Sequence, residues 1–338
     1  MAVLKFVREN TTIPVPKLYF ADTRTDNPVG IRYMLQERVR FFLCIYLYLI
    51  RVKIVGDRLG SHWPRMTEDQ KERVGVKIAE YEAQLMGIHF PLIGSPIEDS
   101  STGEFIIGYL GVFGQYILRD NIGPWGSSHD FIKAHVDAQL DLLENDEDSW
   151  RKERSLYRLH HKDDESQPPP LEYMKSWFKL FSGAIHRLVL IYPNREEPSA
   201  DCPFVLHHQD LSVSNILVAF DDPTHIVGIV DWEGAAVLPL WLATKSVGIL
   251  QRHSMEDEFT ERMRALRDRV HTSFVPEVDP AIAHGSMMRD IYRLSRCHVS
   301  AMWTVEKLNS TFMECYESWP PMASALFEEL VAFIHSQN

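Results

Sequence analysis

Leu206-His207-His208-Gln209-Asp210-Leu211-Ser212-Val213-Ser214-Asn215-Ile216-Leu217-Val218, followed by Ile229-Val230-Asp231-Trp232-Glu233-Gly234-Ala235, is the stretch on which the reading of the fold turns. Phe204-Val205-Leu206, Ile216 to Phe220 and Ile226 to Val230 read as short strands, with Asp221-Asp222-Pro223-Thr224-His225 as the turn between the last two. The polar residues stand at the edges of this hairpin. His208-Gln209-Asp210 precede it, Asn215 follows after four intervening residues, and Asp231 lies sixteen positions beyond Asn215, where the last strand ends. A hairpin lays the loop that precedes it beside the residue that ends it, so Asp210, Asn215 and Asp231 are predicted to converge. One carboxylate to accept a hydroxyl proton, with an amide and a second carboxylate to hold Mg²⁺, is the set that phosphoryl transfer requires. His-x-Asp-x-x-x-x-Asn alone is a short pattern; the flanking strands and the strand-terminal Asp make it specific.

Around this hairpin the pattern is mostly helical. Ala2 to Glu9 reads as the end of a helix, and Lys17 to Ala21 and Ile31 to Gln36 as strands separated by the turn residues Asp26-Asn27-Pro28. Thr67 with Gln70 has the form of a capping box. Val74, Ile78, Tyr81, Leu85 and Ile88 then recur on one face of a long helix. Phe131 to Leu143 and Leu171 to Tyr192 are predicted helices, and three or four more are expected between Met255 and His335.

The chain has 338 residues, long enough for two lobes or domains, with 45% hydrophobic and 24% charged residues, ordinary for a folded protein. A formal net charge of −12 opposes phosphate backbones and anionic membranes, and it favours a neutral or cationic ligand. Cys44, Cys202, Cys297 and Cys315 form no Cys-x-x-Cys clamp and no dense disulfide pattern. The N-terminus lacks the layout of a secretory signal, and the longest apolar run, Phe41 to Ile50, is shorter than the roughly 20 residues of a spanning helix. A cytoplasmic protein is expected, with no nucleic-acid or membrane partner and no obligate protein partner.

The two motifs resemble those of the aminoglycoside phosphotransferase / choline kinase-like branch of the protein-kinase-like superfamily. Ile13-Pro14-Val15-Pro16-Lys17 is similar to the linker after the first-lobe helix in fungal members, and Tyr33-Met34-Leu35-Gln36-Glu37 to the strand entering the hinge. Ile122-Gly123-Pro124-Trp125 and Val237-Leu238-Pro239-Leu240-Trp241 resemble second-lobe landmarks, and the likeness covers residues 3–39 and 57–338. It implies an α+β, bilobal kinase-like fold: 1–39 a truncated β-rich N lobe and hinge, 40–56 an atypical apolar insertion, 57–338 a mainly helical C lobe with a catalytic β-hairpin. It further implies a small-molecule kinase that moves the ATP γ-phosphoryl group to a substrate hydroxyl. Asp210 becomes the catalytic base, His208 the loop-supporting residue, and Asn215 and Asp231 the Mg²⁺ ligands. Gln36, Glu37 and Arg38 line the adenine side of the hinge through backbone groups. Glu233 either joins the metal or caps the following helix. A eukaryotic-type protein kinase fits less well: position 209 is Gln, so no Arg senses an activating phosphate, and Trp-Glu follows Asp231 in place of Phe-Gly.

Two departures set up an alternative. The Gly-rich hairpin and the strand lysine with its helix glutamate are not visible, and Lys5 and Glu9 are read as surface residues. The alternative is therefore a catalytically impaired pseudokinase acting as a ligand- or partner-binding module. Residues 40–54 interrupt the passage from hinge to Val55-Gly56-Asp57-Arg58-Leu59. They read as a lineage insertion or translated intron, with the start codon also misplaced, or as an extra strand standing in for the missing hairpin. The substrate pocket is expected among Trp241, Glu256, Asp257, Tyr292 and Trp303. Sequencing the transcript is expected to give a spliced message without codons 40–54 and with an upstream start. A message that retains those codons and begins at Met1 overturns the reading.

Overall fold

The computed structural model describes residues 2–22, 24–28, 30–31, 33–39, 51–54, 56–99, 101–110, 122–151, 171–191, 204–244 and 258–274, with positions 292 and 332. Helices and small sheets alternate in an α+β arrangement. The chain forms two compact units, Met1–Gly111 with Pro198–Asp279, and Val112–Glu197 with Pro280–Asn338. These cuts fall elsewhere than the lobe divisions at 39 and 57 that the resemblance implies. The cysteine positions and the run 40–50 lie outside the described residues.

The first unit opens with α1 (Ala2–Asn10), which buries Val3, Leu4, Phe6 and Val7 on one face. Phe6 sets its ring against Phe90 and Phe105 at 5.5 and 5.1 Å. Lys5 forms a surface ion pair with Glu98 at 2.6 Å, and Glu9 is exposed, as expected of both. β1 (Leu18–Asp22) pairs antiparallel with β2 (Tyr33–Val39) across a bulge at Leu18/Phe20. β2 begins two residues later than predicted, because the Asn27 amide donates to Ile31 O at 2.6 Å and holds 27–31 in a turn. β3 (Arg51–Ile54) runs parallel to β2, Gln36 facing Arg51 and Val39 facing Ile54. The end of the 40–54 segment is thus an added strand.

β4 (Asp57–Arg58) leads into the short α2 (Leu59–His62). α3 (Glu68–Met86) starts at the predicted capping box: Gln70 N–H donates to Thr67 Oγ1 at 3.3 Å and Thr67 N–H to Gln70 Oε1 at 2.9 Å. Val74, Ile78, Tyr81 and Leu85 are buried as their spacing requires. Ile88 lies past the helix end at Gly87, the chain turning instead into β5 (His89–Phe90), with β6 (Ser95–Glu98) and β7 (Phe105–Gly108) after it.

In the second unit, α4 (Ser128–Asn145) is capped by Ser127, whose hydroxyl accepts from Asp130 N–H at 3.1 Å. It packs against α5 (Leu171–Ile191), where Trp177 and Phe181 stack at 5.7 Å. Tyr292 stacks on Phe131 at 5.2 Å and is buried with it. That makes Tyr292 a core residue, as Trp241 is in the first unit. Glu256, Asp257 and Trp303 lie outside the described residues.

Back in the first unit, β8 (Phe204–His207), β9 (Ile216–Val218) and β10 (Ile226–Ile229) are the three strands expected around the motifs. β9 and β10 form the predicted antiparallel hairpin, and β4 pairs with β9 on its other edge. β8 belongs to a different sheet, between β5 and β11 (Ala236–Pro239). The segment read as a landmark at 237–241 is therefore that strand and the start of α6 (Leu240–Ala243), all four β11 residues being buried. α7 (Glu258–Phe274) packs along α3, with His271 and Glu82 buried at 3.1 Å.

Gly94 ties the β6–β7 hairpin to β11. Its N–H donates to Val237 O at 3.1 Å and its carbonyl accepts from Val237 N–H at 2.7 Å. A Cβ at that position lies 2.2 Å from Gly108 O, backbone that cannot rotate away. Gly94→Ala is expected to lower stability by about 1–3 kcal/mol, measured by urea unfolding; unchanged stability contradicts this close approach.

Candidate active site

The β9–β10 hairpin is closed beyond its ladder by a bond from Val230 N–H to Asn215 O at 2.9 Å. Asp231 therefore emerges beside Asn215. The Asn215 Nδ2 donates to both Asp210 Oδ2 and Asp210 O at 2.9 Å. Those bonds use the two amide hydrogens and leave Oδ1 as an acceptor for another ligand. The hairpin thus brings Asn215 onto Asp210, with Asp231 near enough for the charge of Asp210 to act on it.

His208 is buried beneath the loop. Its Nε2 bonds to Val230 O at 3.0 Å and its ring stands edge-on to Trp232 at 4.5 Å. A carbonyl only accepts, so Nε2 carries the proton. Burial pushes the imidazole down from 6.5 to about 4, so His208 is neutral at pH 7. These contacts are of the kind a loop-supporting residue makes. A cavity of about 10 Å³ between α3 and His208 holds at most one water.

Gln209 and Asp231 both adopt left-handed backbone, φ 62 and 69. Such conformations cost about 1–3 kcal/mol each and persist where neighbouring contacts dictate them. The Gln209 Nε2 donates to Gly234 O, across to the turn that carries Asp231. Sequence reasoning noted Gln209 only as a non-arginine. No local signal marks it, because its partner is a backbone carbonyl 25 residues away.

Asp231 and Glu233 are both exposed residues, yet surrounding protein raises both carboxyls above their ordinary values. For Asp231 partial burial is the larger cause and the charge of Asp210 the second; for Glu233 partial burial leads and Asp231 follows. Glu233 sits in a 3₁₀ turn, Trp232–Gly234, that joins Asp231 to β11. No helix follows it there for its side chain to cap. Among the described residues no three His, Cys, Asp or Glu side chains converge on one ion. A divalent cation here would have to draw on the Asn215 Oδ1 as well as the Asp231 carboxylate. That mixed oxygen set suits Mg²⁺, and a cation relieves the crowding of negative charge. Gln36, Glu37 and Arg38 lie in β2, a strand of a different sheet. Glu37 N–H donates to Lys17 O at 2.7 Å, and its carboxylate accepts from Lys17 N–H at 3.0 Å.

A family model described as the phosphotransferase enzyme family (APH) matches residues 1–242, and the chain belongs to that family. It is also similar to a subtelomeric hrmA-associated cluster protein of Aspergillus fumigatus, in strains CEA10 and Af293, at 24% identity over 275 residues in each. The match takes in 72% of this chain and 50% of each relative, so the chain spans about half the length of the curated relatives it matches. Among the described residues no helix is long and apolar enough to cross a membrane.

The raised carboxyl of Asp231 gives a signed prediction. The folded state holds this proton above the ordinary 3.8 at which the unfolded chain releases it, so this group's contribution declines as pH rises through that window. In EDTA, Asp231→Asn is expected to unfold at higher urea than the parent at pH 7, with the gap closing toward pH 4. Comparing the two proteins cancels the opposite acid effect of His208. A gap that widens on acidification contradicts the assignment.

Proposed function

We propose that this chain is an aminoglycoside phosphotransferase-like small-molecule kinase, transferring the γ-phosphoryl group of ATP to a hydroxyl on a small substrate. One observation carries the reading: the Asn215 amide is bonded to the Asp210 carboxylate at 2.9 Å, while the Asn215 carbonyl is bonded by the N–H of Val230, the residue before Asp231. In this reading Asp210 accepts the substrate hydroxyl proton as that oxygen bonds the γ-phosphorus and the bond to ADP breaks. Asn215 and Asp231 would hold Mg²⁺, and Glu233, two residues beyond Asp231, would be the next carboxylate available to it. The bound ion supplies neutralisation of the phosphate charge. Positioning does the rest, through the bonds that hold the two loops together. The net charge of −12 favours a cationic substrate. The reaction is assigned to the cytoplasm, with a small hydroxylated substrate and no nucleic-acid, membrane or obligate protein partner.

A second reading, a pseudokinase that binds a ligand or partner without turnover, has one observation in its favour. β3 pairs with β2 from Gln36 to Val39, along the backbone expected to face adenine. Binding separates the two. Mg²⁺–ATP at about 100 times its Kd is expected to raise the melting temperature by roughly 3–8 °C, and Asp231→Ala to abolish the shift. A flat response from the parent protein favours the second reading. A metabolite screen for ATP consumption, run on this chain and on one lacking 40–54, then identifies the acceptor.

A further inference from the structure

His208, Gln209 and Asp210 are consecutive, and each faces the Asp231 turn or the base position in its own way. The imidazole of His208 takes the carbonyl of Val230, one residue before Asp231. The carboxamide of Gln209 takes the carbonyl of Gly234, three residues after it. Asp210 presents its carboxylate to Asn215. The turn bearing Asp231 is therefore gripped on both sides by the two residues that lead into Asp210. Gln209 holds its bond from a γ-turn, Asp210 N–H reaching His208 O at 2.8 Å around its own φ of 62. A side chain kept in left-handed backbone, where glycine is at ease, needs a reason to be there.

We propose that Gln209 is a positioning residue: its carboxamide fastens the 231–234 turn to the catalytic loop and so sets the spacing between Asp210 and Asp231. The fastening is neutral and closed within the chain, so the two carboxylates are held in place without an added phosphate or other charge. The bond itself stands on geometry alone, whereas its effect on metal binding rests on the phosphotransferase reading above.

Gln209→Gly separates the bond from the backbone strain, because glycine accepts φ 62 without penalty while losing the donor. Gln209→Glu keeps the length and loses the donor at neutral pH. Two measurements on the full chain are needed: amide hydrogen exchange across 228–236, and the Kd for Mn²⁺ alone. Both variants are expected to exchange at least about 10-fold faster in 228–236 with α4 unchanged, and to bind Mn²⁺ about 10-fold more weakly. The melting temperature of Gln209→Gly is expected to stay within a degree or two of the parent or to rise. Unchanged exchange in 228–236 overturns the fastening. Faster exchange with unchanged Mn²⁺ affinity overturns the positioning role, leaving a bond of no consequence for the site. If the parent binds no Mn²⁺, or Asp231→Ala binds it equally well, the phosphotransferase reading fails and the positioning role with it. Exchange then still reports whether the bond exists.

Discussion

A single backbone bond, Val230 N–H to the carbonyl of Asn215 at 2.9 Å, organises the chemistry of the first unit. It extends the β9–β10 hairpin one step past its ladder and fixes where the chain leaves the sheet. Everything polar is placed from that point. Asn215 turns its amide onto Asp210, Asp231 emerges beside it, and His208 closes under both through the carbonyl of the same Val230. Short strands do this well because a ladder defines position to a few tenths of an ångström, which side chains on a mobile loop do not.

The energetic tension sits in the same place. Two residues hold left-handed backbone and two carboxyls are raised above their ordinary values, first by partial burial and then by a neighbouring charge, Asp210 for Asp231 and Asp231 for Glu233. Strain and raised carboxyls of this kind cluster at ligand sites in proteins generally, and here they coincide with the metal position of the proposed function. The ligand best suited is a positive charge with oxygen preferences, which turns the crowding of carboxylates into attraction. Around it the unit is conventional. Apolar strands such as β8 and β11 are buried, α3 and α7 pack closely through Gly75 and Met263, and the capping box starts α3 where the sequence places it.

The hinge region is the other point of interest, and its logic is that of sheet edges. A two-stranded β1–β2 ladder leaves edges open, and open edges recruit strands. Here β3 fills one of them in parallel, from the end of the 40–54 segment, for which an extra strand is one of the readings. The edge it fills is the part of β2 that carries Gln36, Glu37 and Arg38.

Much of the candidate site was legible before any coordinates. The hairpin, the convergence of Asp210, Asn215 and Asp231, the capping box at Thr67 and the buried face of α3 follow from local spacing. Periodicity and a tight turn oblige neighbours in sequence to be neighbours in space. What local spacing could not reveal involves partners far apart along the chain. β8 paired with β5 and β11, Asn27 delayed β2 by capturing a carbonyl, and Gln209 found Gly234. Each of these partners is a backbone group or strand edge, carried by every residue alike. No choice of side chain announces them, and they exist only once the chain has closed on itself.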